Sequence, residues 1–403
     1  MSEPTHIHPS DLHGALRLAA DATGAVTDIV EAMHEAIAWP PLLSRRSPTG
    51  RAGGIPGLAY SGVRTAARWV GSGIDLALSP LVPLLGEKAS TPQRDALLSV
   101  VSGVIGDHLD ATGNPLAVRM ELRRRGRALE LRRGALARDL PRTSSRIVVF
   151  VHGLCGTDAQ WKRAAFDYGL AVERDRGFTP LYLRYNSGLH VSTNGLLLAR
   201  LLEKLVHEWP VDADELAIVG HSMGGLVARS AVRQAEAACH RWPSRLRRIA
   251  FLGTPHHGAP LERGGHWFEE VLGTVRYAAP LSRLGRLRSA GITDLRHGSI
   301  VEEDWNGADR FAHAHDTRVP SPLPDGVDCL AIAATAGANL GDARDRLVGD
   351  GLVPVASALG LHDDPAKDLA FEDSRRHVVY RMHHLELLGD PEVYAHLSHW
   401  LAG

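Results

Sequence analysis

The chain has 403 residues, 44% of them hydrophobic and 23% charged, the balance of an ordinary soluble globular protein. A net charge of −1 gives no bulk attraction to nucleic acid or to an anionic membrane. Its cysteines, Cys155, Cys239 and Cys329, are odd in number and widely spaced with no C-x-x-C pair, so neither a disulfide framework nor a zinc site is implied and a reducing compartment is the default.

The N-terminus carries acidic and His residues and no charged-then-apolar leader, so no signal peptide is expected. The most apolar stretch, near Ile74 to Leu85, is broken by Asp75, Pro80 and Pro83 and is too short to span a bilayer. A cytoplasmic location is the expectation, and contact with a membrane or lipid surface stays open. Residues 10–38 read as a helix, with Leu12, Leu16, Ala19, Val26, Ile29, Val30, Met33 and Ile37 near a 3.6 period. Residues 40–60 read as a loop, and 58–70 as a second helix. A third is marked by Thr91 as N-cap and Pro92 at the first position, with Leu97, Val101, Val104, Ile105 and Leu109 on one face. Arg127 to Leu140 reads as a hairpin turning near Arg133-Gly134, beside a basic run (Arg123, Arg124, Arg125, Arg127, Arg132, Arg133) that is expected to be a solvated surface rather than a polyanion site. Residues 1–140 are thus expected to form a mostly helical extension. Their removal is expected to cost stability or surface contact more than chemistry.

From Arg146 short apolar runs alternate with helical patterns, the mark of a parallel α/β sheet. Strands are expected at Ile147–Val151, Leu181–Tyr185, Leu216–Val219, Arg248–Leu252, Cys329–Ala334 and His377–Tyr380. Helices are expected from Trp161 to Val172, Asn194 to Trp209 and Pro391 to Leu401. Residues 141–403 form the expected catalytic domain. The interval 259–327 is long and holds Trp267, Phe268, Val271, Leu272, Tyr277, Leu281, Leu284 and Leu287 among many Arg and Gly.

The chemistry centres on Glu215 to Ala228. Leu216–Val219 is a buried-strand run, Gly220-His221-Ser222-Met223-Gly224 fits G-x-S-x-G, and Leu226, Val227, Ala231 and Val232 continue at helical spacing. Strand, tight turn and helix are the context of a nucleophile elbow. A serine hydroxyl needs a base within hydrogen-bond reach, and the base needs a carboxylate to fix its tautomer. In such a sheet the partners follow in the order Ser, Asp/Glu, His. Asp350, with Asp342 and Asp345 as rivals, and the pair His383 and His384 stand in that order after Ser222. The oxyanion donors are expected to be the backbone N–H groups of Met223 and Leu154, the latter in the loop after the first strand. Cys155, with no base signalled for it, is a poor nucleophile.

From Arg146 to its end the chain resembles α/β-hydrolase lipases and esterases: bacterial triacylglycerol lipases and the related inositol-deacylase-like hydrolases. The resemblance is carried by His152-Gly153-Leu154, the elbow, Leu252-Gly253-Thr254-Pro255-His256-His257-Gly258, Gly349-Asp350-Gly351-Leu352-Val353-Pro354 and Tyr380-Arg381-Met382-His383-His384-Leu385-Glu386. It implies an α/β-hydrolase fold with a mostly parallel central sheet and, at 259–327, an inserted lid or cap whose aromatic and Leu residues either line an acyl pocket or are core of its own helices; the helical N-terminal extension lies outside the resemblance. It puts the acid on Asp350 and the base on His384. Some such lipases bind calcium through an Asp two residues after the histidine; that position is Glu386 here, so no metal and no cofactor are expected. The implied reaction is hydrolysis of a carboxylic ester, with a small-molecule or lipid ester as the partner and no nucleic acid. Acyl transfer by the same triad and a non-catalytic binding protein are the competing readings.

Overall fold

Continuous apolar runs such as Ile147-Val148-Val149-Phe150-Val151 suit strands covered on both faces, and the strands ending at Val151, His221, Leu252 and Thr335 all join one sheet. The structure, a computed structural model, describes residues 8–38, 54–78, 90–163, 166–259, 289–307, 316–338 and 349–403. Among these residues the strands are β1 (Glu121–Arg124), β2 (Arg127–Ala128), β3 (Arg146–Val151), β4 (Lys162–Arg163), β5 (Phe166–Asp167), β6 (Thr179–Arg184), β7 (Glu215–His221), β8 (Leu246–Leu252), β9 (Asp328–Thr335) and β10 (Arg376–Tyr380). The main sheet runs β10-β9-β8-β7-β3-β6-β1-β2, parallel from β10 to β6 and antiparallel at β1 and β2.

Alternation along β3 sorts the core into two layers. Ile147, Val149 and Val151 face one layer with Leu198 and Leu202 of the helix Val191–Glu208 and with Leu226 and Val227 of the helix Met223–Ala237. Val148 and Phe150 face the other, with Val172 of the helix Tyr168–Arg176 and Val393, Leu397 and Trp400 of the helix Pro391–Ala402. Each such side chain contributes roughly 1.5–3 kcal/mol by leaving water. The result is a rigid floor whose strand ends carry the loops of interest.

The described chain divides into two compact units, Met1–Arg94 with Leu109–Ala117, and Asp95–His108 with Val118–Gly403. In the first, the helix Pro9–Ala38 matches the expected one, and the helix Gly54–Leu78 runs longer than the expected 58–70. His13 Nε2 meets Asp75 Oδ1 at 2.7 Å, and Arg94 pairs with Asp11 at 2.6 Å. Most of the expected loop at 40–60 lies outside the described residues.

Four features differ from expectation. The hairpin is β1–β2, not Arg127 to Leu140; its two-residue turn puts Arg125 at φ 50° and Gly126 at φ 75°. Two positive φ values make a tight hairpin turn, but Arg is a rare residue there, which hides it in the sequence. Arg133-Gly134 instead opens the helix Arg133–Asp139. The boundary at 140 falls too late, because β1 pairs with β6 and residues Asp95–His108 belong to the second unit. Between Trp161 and Val172 a short 3-10 turn (Asp158–Trp161) and the β4–β5 ribbon precede the helix Tyr168–Arg176. The basic run is partly internal: Arg123 lies 3.5 Å from both Asp95 and Asp158, and Arg124 pairs with Glu173 at 2.6 Å. Of the interval 259–327, Ile292, Leu295, Ile300 and Val301 join the sheet's core. Trp267, Phe268, Val271, Leu272, Tyr277, Leu281, Leu284 and Leu287 lie outside the described residues.

Candidate active site

Strand β7 ends at His221, and the helix Met223–Ala237 begins two residues later, so Ser222 alone makes the turn. It does so at φ 53° and ψ −127°, a backbone conformation that side-chain-bearing residues rarely adopt. Strain of this kind costs on the order of 1–3 kcal/mol and is held by surrounding contacts. The Ser222 N–H donates to Leu252 O at 2.8 Å, and Ser222 O accepts from the Gly225 N–H at 3.0 Å. Gly224 allows the helix to start against β3: a Cβ there would lie 2.3 Å from Val151 O and 2.6 Å from His152 O. Ser222 is half-buried, at the positive end of a helix dipole.

Asp350 and His384 are brought together. His384 Nδ1 lies 2.6 Å from Asp350 Oδ2, with both side chains buried. The other carboxylate oxygen, Oδ1, accepts from the Leu352 and Val353 N–H groups at 3.0 and 2.8 Å, so the Gly-Asp-Gly-Leu-Val turn aims the acid. The His384 N–H donates to Asp350 O at 3.1 Å, locking the two loops together. Donation from Nδ1 to the carboxylate leaves the lone pair on Nε2, the tautomer a base needs. His383 is exposed and outside this pair; its N–H donates to Glu386 Oε2 at 2.7 Å. The rivals Asp342 and Asp345 lie outside the described residues.

Ser222 and His384 share neighbours. The ring of His221 lies 4.6 Å from that of His384, and its Nε2 donates to His384 O at 3.1 Å. Leu252 O, which holds Ser222, precedes Gly253, where a Cβ would lie 3.1 Å from His384 Nδ1. Leu154 sits in the loop after β3, and the preceding Gly153 packs on the elbow, since a Cβ there would lie 2.9 Å from Ser222 Cβ. Of the two expected oxyanion donors, Leu154 follows Gly153 in this loop and Met223 is the first residue of the helix after Ser222.

The electrostatics keep the surroundings neutral. Burial, and then the neighbouring His384, hold His221 well below the usual histidine range. Burial draws His152 down to about 4; its Nδ1 donates to Gly153 O at 2.8 Å and its ring stacks on Tyr185 at 4.3 Å. Burial pushes the Cys155 thiol up to about 12, which removes it as a nucleophile at neutral pH.

Several contributors have no motif to announce them. Tyr185 Oη donates to His152 O at 2.8 Å, and Ser187 Oγ accepts from the Cys155 N–H at 3.1 Å. Ser99 Oγ, from 56 residues earlier in the chain, lies 2.9 Å from Cys155 O. In the sequence His221 is only the variable position of G-x-S-x-G, with no signal that it braces His384.

Residues 142–322 match the family model described as PGAP1-like alpha/beta domain. No curated protein matches the chain. Among solved structures it is similar to the Bacillus licheniformis lipase BlEst2 in mature form, at 19% identity and a TM-score of 0.40 over 64% of this chain and 91% of that one. It is also similar to Aspergillus fumigatus lipase B, at 10% identity and a TM-score of 0.39 over 64% of this chain and 52% of that one. A lipase-esterase related protein from Clostridium acetobutylicum is similar at 13% identity and a TM-score of 0.36, over 64% of this chain and 96% of that one. The matched residues 142–322 include the strands β3, β6, β7 and β8 and the elbow at Ser222, so this part of the chain is similar to a PGAP1-like alpha/beta domain.

Proposed function

We propose that this chain is an α/β-hydrolase, a serine hydrolase that cleaves carboxylic esters of the lipase or esterase type through an acyl-enzyme on Ser222. The observation that carries the reading is the buried Asp350–His384 pair at 2.6 Å, in loops that adjoin a serine held at φ 53°. Ser222 Oγ attacks the ester carbonyl while His384 Nε2 takes its proton. The oxyanion is met by the N–H groups of Leu154 and Met223. The ester C–O bond breaks, and the alcohol leaves with the proton from His384. Water then attacks the acyl-enzyme with His384 again as base, releasing the acid and restoring Ser222. Asp350 holds the tautomer and stabilises the imidazolium.

The test is labelling of the full chain with an active-site-directed fluorophosphonate, with turnover of p-nitrophenyl esters from acetyl to palmitoyl. Labelling at Ser222 together with turnover supports the reading; absence of both overturns it. Transfer of the acyl group to an added alcohol in preference to water would make the protein an acyltransferase on the same triad.

The same proposal gives the ester a lipid surface as its source. The helix Gly54–Leu78 leaves Trp69 75% and Val70 58% exposed, and Trp is favoured at the boundary of water and lipid. Co-sedimentation with phospholipid vesicles should weaken in Trp69→Ala while turnover of a soluble short-chain ester stays at the parent rate. Equal vesicle binding by both proteins would remove the lipid half of the proposal.

A further inference from the structure

The loop that carries Leu154 is held from a distance. Its next residue, Cys155, adopts φ 57°, unfavourable for any residue with a Cβ. Locally, the Gly156 N–H donates to Gly153 O at 3.1 Å. Further support comes from the helix Pro92–Ala111, within its stretch Asp95–His108. Ser99 Oγ lies 2.9 Å from Cys155 O and 2.8 Å from Ala96 O, so its one O–H is shared between the loop and its own helix. Gly103 lies flush against the loop: a Cβ there would come 2.2 Å from Cys155 Sγ and 3.1 Å from Cys155 N.

The same stretch is itself fixed at its kink. Ile105 leaves helical geometry at φ −136° and ψ 19°. Asn186 spans the break: its Nδ2 donates to Gly106 O at 2.8 Å, and its Oδ1 accepts from Ser102 Oγ at 2.8 Å and the Gly188 N–H at 3.1 Å. Around the kink, Ser289 Oγ donates to Gly103 O at 2.6 Å, and the Ala290 N–H donates to Asp107 Oδ2 at 3.0 Å. Gly291 follows, where a Cβ would lie 3.2 Å from Met223 Cε. One helical stretch thus touches the loop of Leu154 directly and the side chain of Met223 through one short segment.

We propose that Ser99 and Gly103 are positioning residues that set the 152–157 loop and so aim the Leu154 N–H at the oxyanion. The proposal rests on the ester-hydrolase reading for its catalytic consequence and on contacts alone for its structural one. An oxyanion donor works only when held within about half an ångström of its productive place. Cys155 enters as a packing surface, which its buried, high-pKa thiol suits.

The sign of the effect separates this role from ordinary helix stability. Gly103 lies in helical backbone, where Ala is the better helix former. A purely structural glycine replaced by Ala would leave the loop alone, whereas contact with Cys155 makes the same change push the loop away.

The experiment compares full-length Gly103→Ala, Cys155→Ala, the double variant and Ser99→Ala. Hydrogen–deuterium exchange of the 152–157 peptide reads the loop without reference to activity. Steady-state kinetics on a soluble short-chain ester, with inhibition by a trifluoromethyl ketone, read the oxyanion site. Gly103→Ala should raise exchange in 152–157 and lower kcat about 100-fold, the scale of one lost oxyanion donor, with ketone affinity falling in step and KM little changed. Removing Sγ in the double variant should restore both readouts most of the way. Ser99→Ala should lose about tenfold, as for one hydrogen bond. Unchanged exchange in Gly103→Ala, or a loss that Cys155→Ala does not relieve, overturns the proposal. If Gly103→Ala does not fold, Ser99→Ala decides by the same two readouts. If the parent protein hydrolyses no ester, the hydrolase reading fails while the exchange measurement still judges the contact.

Discussion

Two loops at the same edge of the sheet each hold a side-chain-bearing residue at positive φ, Ser222 at 53° and Cys155 at 57°. They are stabilised in different ways. The elbow packs partly on itself, since a Cβ at Gly220 would lie 2.6 Å from Gly225 Cα and Gly225 donates back to Ser222 O, while Leu252 O holds the Ser222 N–H from outside. The Cys155 loop leans on Ser99, Gly103 and Ser187, all far away in sequence. A strained turn held in part by its own glycines leaves a motif, while one held mainly by distant partners leaves none. The two loops should accordingly fail in different ways when their supports are cut.

The largest effect should come from the elbow. Ser222→Ala should lower turnover on the order of 10⁶-fold, as removal of a triad nucleophile does in a well-studied serine protease. His384→Ala should match it, because nucleophile and base act as a unit. Steady-state kinetics on a short-chain ester, with circular dichroism to confirm folding, would measure both; a tenth of the parent rate in either would end the elbow's claim to the chemistry.

Asp350→Asn should fall between, at about 10⁴-fold, since an imidazole in the wrong tautomer retains part of its function. His383→Ala should lose no more than about tenfold, the scale of a supporting contact. Its side chain is exposed, and its bond to Glu386 comes from the main chain, which alanine keeps. A dead His383→Ala beside an active His384→Ala would exchange their roles; two active variants would move the base elsewhere.

The same contrast explains what the sequence disclosed. The elbow, the Gly-Asp-Gly turn and the second histidine of the pair could be read because each is defined within about one turn of chain. Adjacent side chains in extended backbone point to opposite sides, so one histidine at most could face Asp350. The β1–β2 hairpin escaped because Arg125 occupies a position that Asn or Gly usually announces. The stretch Asp95–His108 escaped because its apolar spacing reads only as a helix. Gly103 and Gly106, which let the helix meet Cys155 and Asn186, look like helix weakeners until the partner surfaces are known. A deletion through residue 140 would remove this stretch and β1 together, so it should damage chemistry and folding alike, contrary to the expectation from sequence.

The smallest effect concerns pH and separates the loops by their buried histidines. His152 lies under the Leu154 loop with its ring neutral, Nδ1–H bonded to Gly153 O at 2.8 Å and pKa drawn down to about 4 by burial. An unfolded chain binds a proton on this ring below about 6.5, where the folded chain does not. Its contribution is therefore fully present above 6.5 and is lost as pH falls from 6.5 toward 4. At 1.36 kcal/mol per unit the whole loss is about 3 kcal/mol, spread across that window. His221, held down by burial and by His384, adds a loss of the same sign under the elbow. His152→Asn should therefore flatten, without abolishing, the fall of stability with acid, by about 1 kcal/mol per pH unit in urea unfolding between neutral pH and about 5. The remaining slope belongs to His221, His256 and His257, which burial also holds below the usual histidine range. An unchanged slope in His152→Asn would mean that His152 takes up its proton in the folded protein, and that the floor of the Leu154 loop is wetter than its burial implies.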